Sequence, residues 1–183
     1  MGLVVQKYGG SSLATPELVK NVAKRIAESH DIHGSLIATV SAMGDTTDYL
    51  LKMASEISAN PDRRELDVLL STGELQSSSL VAMALNEMGK KVVSLSGIQA
   101  GIKTDASYGK AKISDLNTDR IEDEISKGNI VIVAGFQGAT DELDITTLGR
   151  GASDLTAVAL AAALDAERCE IYTDVDGIYT ADP

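Results

Sequence analysis

A lysine, two adjacent glycines and two serines follow the first apolar run of this chain, in GLVVQKYGGSS at residues 2–12. Glycines let backbone amides come close to a phosphate, and a helix that follows turns the positive end of its dipole toward the same place. A lysine beside such amides adds a point charge, so Lys7, Gly9, Gly10 and Ser11 together have the chemistry of an anion site. A tight strand-to-helix turn with Lys7 in solvent explains the same residues. Similar turns recur after apolar runs: SAMGDTTD at 41–48, GFQG at 135–138 and TDVDG at 173–177, while TTLGRGASD at 146–154 opens an alanine-rich stretch. The strict nucleotide signatures are absent. The lysine precedes its glycines, unlike G-x-x-x-x-G-K-[ST], and GRGASD ends in aspartate where G-x-G-x-x-G needs glycine. There is no G-x-S-x-G elbow. The two histidines, in ESHDIHG, sit near a helix end where capping explains them, and no further Cys or His lies nearby to complete a metal site.

These turns need a scaffold. The 183 residues, 44% hydrophobic and 23% charged, suffice for one substantial core and one compact domain. Candidate strands are residues 3–7, 35–40, 91–95, 129–134 and 170–173, several nearly continuous in Val and Ile, as strands buried on both faces are. Helical spacing covers 16–28, with Thr15 as cap and Pro16 at the first position, and then 45–57, 73–88, 118–127 and 153–164. Strands separated by helices imply crossovers and a mostly parallel sheet covered on both sides. In such sheets ligands bind at the carboxyl ends of the strands, where these turns fall. Residues 97–115 are the least regular and would suit a hairpin or a lid.

A net charge of −11 argues against wrapping a nucleic-acid backbone or lying on an anionic membrane. The longest uninterrupted apolar runs, 130–136 and 157–164, are too short to span a bilayer. The single cysteine, Cys169, allows no intrachain disulfide, so a reducing cytoplasm is expected and Cys169 reads as a buried strand residue.

Taken in order, KYGGSS, VSAMGDTTDYLL, LLSTGE, VAGFQG, TTLGRGASD and EIYTDVDGIYTADP resemble the aspartate kinases of the amino-acid kinase family over essentially the whole chain. The resemblance implies a three-layer α/β/α sandwich and ATP-dependent phosphorylation of the aspartate side-chain carboxylate, with Mg2+, giving 4-phospho-L-aspartate. This is the entry step toward lysine, threonine and methionine. The attacking carboxylate is already ionised at neutral pH, so alignment and charge neutralisation suffice without a general base. Lys7 then meets the phosphates with Gly9, Gly10 and Ser11.

An amino acid also brings an α-carboxylate and an α-ammonium. An arginine fork and an acidic partner suit these, and Arg150 and Glu74 stand at the matching family positions. Thr46 or Thr47 would add a hydroxyl. Asp154 is either a dipole partner in the first turn of a helix or the group that orients Lys7, and the resemblance favours the second. Ser153 is a substrate contact or simply the helix cap. Thr173, Asp174 and Tyr179 match nucleotide-contacting positions, and Asp182 is of the same kind, while Asp176-Gly177 is also an ordinary hairpin turn.

Two departures stand out. Against the family pattern G-R-G-G-S-D, Ala152 stands in place of the second of the two adjacent glycines, which would strain a backbone needing positive φ. The chain stops at Pro183, short of the rest of the family's kinase domain and its regulatory ACT domains, so 1–183 is expected to be a catalytic domain truncated at its C-terminal end. A non-catalytic nucleotide- or amino-acid-binding regulatory fragment, and a kinase for another amino acid, are the alternatives. The resemblance also implies a homo-oligomer.

Overall fold

The computed structural model describes residues 2–149 and 151–173. In chain order its elements are β1 (Val4–Tyr8), α1 (Pro16–His33), β2 (Leu36–Val40), α2 (Thr46–Ile57), α3 (Arg63–Glu87), β3 (Val92–Leu95), β4 (Ile102–Thr104), β5 (Ile113–Leu116), α4 (Asp119–Ser126), β6 (Ile130–Ala134), β7 (Gln137–Ala139), β8 (Ile145–Thr147), α5 (Ala152–Ala163) and β9 (Arg168–Tyr172). The larger sheet has the order β3-β6-β2-β1-β9, and every neighbouring pair in it is parallel.

Alternate residues of these strands face opposite layers. Tyr8, Leu36, Ala38, Val40, Ile130 and Ile132 pack with Val22 and Ile26 of α1 and with Val81 and Leu85 of α3. Their neighbours Val5, Ile37, Val131 and Val133 pack on the other side, with Ile121 of α4 and Ala157 and Leu160 of α5. Both faces are covered, which is why the sequence shows near-continuous apolar runs, and the result is the expected α/β/α sandwich. Helix α1 starts as its sequence predicts. Thr15 Oγ1 accepts from Leu18 N at 3.2 Å, and Pro16 occupies the first turn. The helix runs on to His33, where Gly34 at φ 82 ends it with its N–H on His30 O.

Helix α3 begins ten residues before the Gly73 that periodicity suggested. Asp62 caps it, accepting from Arg64 N and Glu65 N. The Ser-Thr-Gly that reads as a stop is absorbed: Ser71 and Thr72 donate to Val68 O and Leu69 O one turn back, and Gly73 lies where a Cβ would be 2.9 Å from Ala42 Cβ. Among the described helices α3 also has the length and apolar content of a bilayer crossing, which a search for uninterrupted apolar runs passes over. Half of that stretch is buried inside the domain, and its buried stripe carries Asp67, Ser71, Glu74, Ser77 and Ser78.

A second, mixed sheet has the order β5-β4-β7-β8. Its β4–β5 pair is the hairpin expected for residues 97–115. Its other half, β7 and β8, is not visible as periodicity, because strands of three residues do not complete two alternations.

Candidate active site

The parallel strands β1, β2 and β6 end side by side, and their following turns with the start of α5 enclose a cavity of about 270 Å³. Lys7 is the last but one residue of β1 and points to the α5 side, where it is 13% exposed and its Nζ lies 2.8 Å from Asp154 Oδ1. Asp154 sits in the first turn of α5, so it complements the helix dipole and holds Lys7 at once. With Asp154 half exposed the pair contributes about 1 kcal/mol or less to stability, and its value is orientation. A Cβ on Gly9 would come to 3.5 Å from Lys7 Nζ, and a Cβ on Gly10 to 2.6 Å from Ala42 O. The turns after β1 and β2 are therefore in backbone contact, and Gly44 N donates to Gly10 O at 2.9 Å.

Glu74 faces this cavity from α3 and is 3% exposed. Its Oε1 accepts from Ala42 N at 3.1 Å, while the buried Oε2 has no hydrogen-bond partner among the described residues. Burial pushes its carboxyl up to about 7, against the opposing pull of the Ala42 N–H. A buried carboxyl with one oxygen unsatisfied is costly unless a cationic ligand completes it.

The far wall is the start of α5. Gly151, at φ 76, is its N-cap, so Ser153 is not the cap but lies inside the first turn, facing the cavity. The strain expected at Ala152 does not arise: the left-handed residues here are Gly149 (φ 91) and Gly151, and Ala152 begins the helix. Gly135 allows this approach, since a Cβ there would be 2.9 Å from Ser153 Cβ. Phe136 beside it adopts φ 67, a conformation that costs an aromatic residue on the order of 1 to 3 kcal/mol. It is held by its N–H on Thr156 Oγ1 and by Leu148 N on its carbonyl.

The structure thus brings Lys7, Gly10, Thr47, Glu74, Ser153 and, through its ion pair, Asp154 to one place, with Gly9 alongside. Ser11 begins a short 3-10 turn and is exposed. Thr46 donates its hydroxyl to Met43 O at 2.6 Å, whereas Thr47 lines the cavity. Thr173 lies at a neighbouring cavity of about 220 Å³ with Tyr8, Arg25 and Tyr172, in which the two tyrosine rings stack at 4.9 Å and Arg25 covers Tyr172. Arg150, Asp174, Tyr179 and Asp182 lie outside the described residues. The sequence reading missed Ser41, Asp48 and Phe136 as lining residues, although the turns that carry them stood out. No group of three His, Cys, Asp or Glu able to hold a metal ion occurs among the described residues.

A parallel three-layer sandwich with a lysine, held by an aspartate, and a half-satisfied acid at the strands' carboxyl ends defines an α/β protein with a charge-lined cavity at the edge of its sheet. The amino acid kinase family model matches residues 2–183, and the chain belongs to that family. It is 53% identical over 183 residues to an aspartokinase of Bacillus sp. (strain MGA3) and 55% identical over 184 residues to that of Mycolicibacterium smegmatis. Each match takes in all of this chain but 44% of the relative, so the chain spans less than half the length of these relatives. The aspartate kinase from Synechocystis superposes with a TM-score of 0.84 at 48% identity, covering 99% of this chain and 29% of that one. E. coli aspartokinase III, in a structure with aspartate and ADP, superposes with a TM-score of 0.87 at 26% identity, covering 99% of this chain and 51% of that one.

Proposed function

We propose that this chain carries the substrate-binding and phosphoryl-transfer half of an aspartate kinase, which moves the γ-phosphoryl group of ATP onto the side-chain carboxylate of L-aspartate. The observation that carries the reading is Glu74 Oε2, buried and without a partner, in the same cavity as the Asp154-held Lys7. An α-ammonium on Glu74 completes that carboxyl. The cavity, at about 270 Å³, sits just under the ~300 to 1,000 Å³ usual for ligand pockets, which suits an amino acid and a terminal phosphate better than a whole nucleotide.

The substrate carboxylate needs no base, so the chain's residues align and neutralise. Lys7, fixed by Asp154, faces the transferring group, with the backbone of Gly9, Gly10 and Ser11 along the phosphates. Thr47 and Ser153 border the amino acid, Thr46 shapes their turn, and Arg150 takes the α-carboxylate. Thr173 would lie toward the nucleoside together with Asp174, Tyr179 and Asp182. Mg2+ would arrive with the nucleotide, held by its phosphate oxygens and water. A place in lysine, threonine and methionine biosynthesis, a cytoplasmic setting and a homo-oligomeric assembly belong to the same reading.

Incubation with ATP, Mg2+, L-aspartate and hydroxylamine tests it, since an acyl phosphate is trapped as the hydroxamate. Lys7→Ala should lower the rate at least about a hundredfold, the scale of losing one electrostatic contact to the transition state, with an unchanged circular dichroism spectrum. Undiminished hydroxamate would remove Lys7 from its role, and faster turnover of L-glutamate would change the substrate.

A further inference from the structure

The buried face of α3 carries a second carboxyl group, two turns before Glu74. Asp67 is 1% exposed and outside the cavity. Its Oδ2 accepts from Thr147 N at 2.8 Å and from Gly109 N at 2.9 Å, and its Oδ1 accepts from Thr147 Oγ1 at 2.8 Å. Thr147 ends β8, and its own carbonyl accepts from Ala111 N at 2.9 Å. Asp67 therefore joins the end of β8 to the loop between β4 and β5.

That junction leads straight into the far wall of the cavity. Beyond Thr147, Leu148 N is held by Phe136 O, and a Cβ on Gly149 would meet Gly109 O at 3.7 Å. Gly151, Ala152 and Ser153 then line the cavity itself. From outside, Arg64 and Tyr108 both bond Asp144 near the same junction, the first through an exposed contact of the kind that contributes little and the second through a part-buried one. Removing the carboxyl strands the buried Thr147 N–H and frees the part-buried Gly109 N–H, and a site wall displaced by about 1 Å can cost on the order of a hundredfold in rate.

We propose that Asp67 is a positioning residue, tying the end of β8 and the β4–β5 loop to α3 so that the wall of Gly151, Ala152 and Ser153 stands opposite Glu74 and Lys7. The function of that wall rests on the aspartate kinase reading; the tether itself does not. Asparagine is the informative conservative change. Its carbonyl can accept from both backbone N–H groups, and the Thr147 hydroxyl can turn to accept from its amide.

The test measures steady-state kinetics and amide hydrogen exchange on the wild-type chain, Asp67→Ala and Asp67→Asn. D67A should raise the KM for L-aspartate at least tenfold, leave the KM for ATP within threefold, and speed exchange in residues 105–112 and 145–149 while 36–40 stay protected. D67N should restore the KM to within threefold. A loss of folded protein alone would lower the apparent kcat and leave KM unchanged, and that result overturns the proposal. So does exchange in 145–149 equal to wild type, or a D67N variant as impaired as D67A. If D67A does not fold, D67N decides: a KM for L-aspartate within threefold supports the tether and a tenfold rise overturns it. If the wild-type chain forms no hydroxamate, the kinase reading fails and the exchange measurement alone decides whether Asp67 holds the junction.

Discussion

Asp67 and Glu74 share one face of one helix and are both almost fully buried, yet their surroundings are opposite. Three protein donors converge on Asp67 from β8 and the β4–β5 loop, and both of its oxygens are engaged. Glu74 receives Ala42 N on one oxygen and has the other without a partner, facing a cavity. Burial alone therefore does not separate an acid that the protein satisfies from one that it leaves half-satisfied. The separation lies in which oxygens the protein itself satisfies, because a saturated carboxyl has nothing left to offer a ligand. About 10 Å of helix axis lies between them, so α3 fixes the distance between the junction and the site.

The sharpest way to break this contrast is Glu74→Gln. Affinity for L-aspartate should fall about a hundredfold with the loss of a charge-assisted contact, read by calorimetry at pH 8. The unliganded protein should instead gain stability. Glu74 is raised from 4.5 to about 7 in the folded state, so the fold binds the proton more tightly than the unfolded chain does. Its stability then falls as pH rises through that window. Glutamine removes the penalty, a gain on the order of 1 to 3 kcal/mol at pH 8 and near nothing at pH 4. Equal denaturation midpoints for the two proteins at pH 8 would show that Glu74 is satisfied after all.

A smaller perturbation acts on one carboxyl and spares the other. Gly73→Ala places a methyl group 2.9 Å from Ala42 Cβ, at the turn whose amide serves Glu74, and should destabilise by about 1 to 3 kcal/mol. Hydrogen exchange should quicken around residues 40–46 and stay unchanged at 105–112, which Asp67 holds. Loosening of both regions together would mean that α3 moves as a whole.

His30 tests whether an unpaired polar atom is a signal by itself. Both its ring nitrogens are buried without a partner among the described residues, but it lies on α1 beside Lys90 and away from the cavity. Burial first, and Lys90 second, hold its pKa below the ordinary 6.5, with Asp31 pulling the other way. The unfolded chain binds the proton more readily, so this contribution is present above pH 6.5 and is lost as pH falls below it. His30→Gln should flatten that loss between pH 7.5 and 5.5 in urea denaturation, with aspartate affinity unchanged. A change in affinity would mean that position 30 communicates with the site.

The parallel sheet was legible because its strands are buried on both faces and hence continuous in Val and Ile, and the start of α1 because Thr15 and Pro16 mark it, whereas its last turn, to His33, lay beyond the 16–28 that the apolar spacing covers. The start of α3 was not, since Ser71 and Thr72 look like a break until their hydroxyls are seen bonding the preceding turn. At the site, the glycine-rich turns announced Lys7 and the α5 wall and the family resemblance pointed to Glu74, while Phe136 was hidden because its left-handed backbone has no sequence mark outside glycine. Asp67 was hidden for another reason. A single acid on an amphipathic helix looks like a solvated residue, and its three donors come from parts of the chain remote in sequence.

The contact of Gly10 with the turn after β2 has its own consequence. Gly10 O takes both Leu13 N and Gly44 N, and the space for a side chain is filled by the Ala42 carbonyl, so the two loops cannot loosen separately. On the aspartate kinase reading, a ligand that orders either loop would order the other with it, and a second ligand would meet a surface already constrained. Cooperative binding of nucleotide and amino acid would then follow from rigidity alone, without any change of shape, and calorimetric titration of one in the presence of the other would measure it.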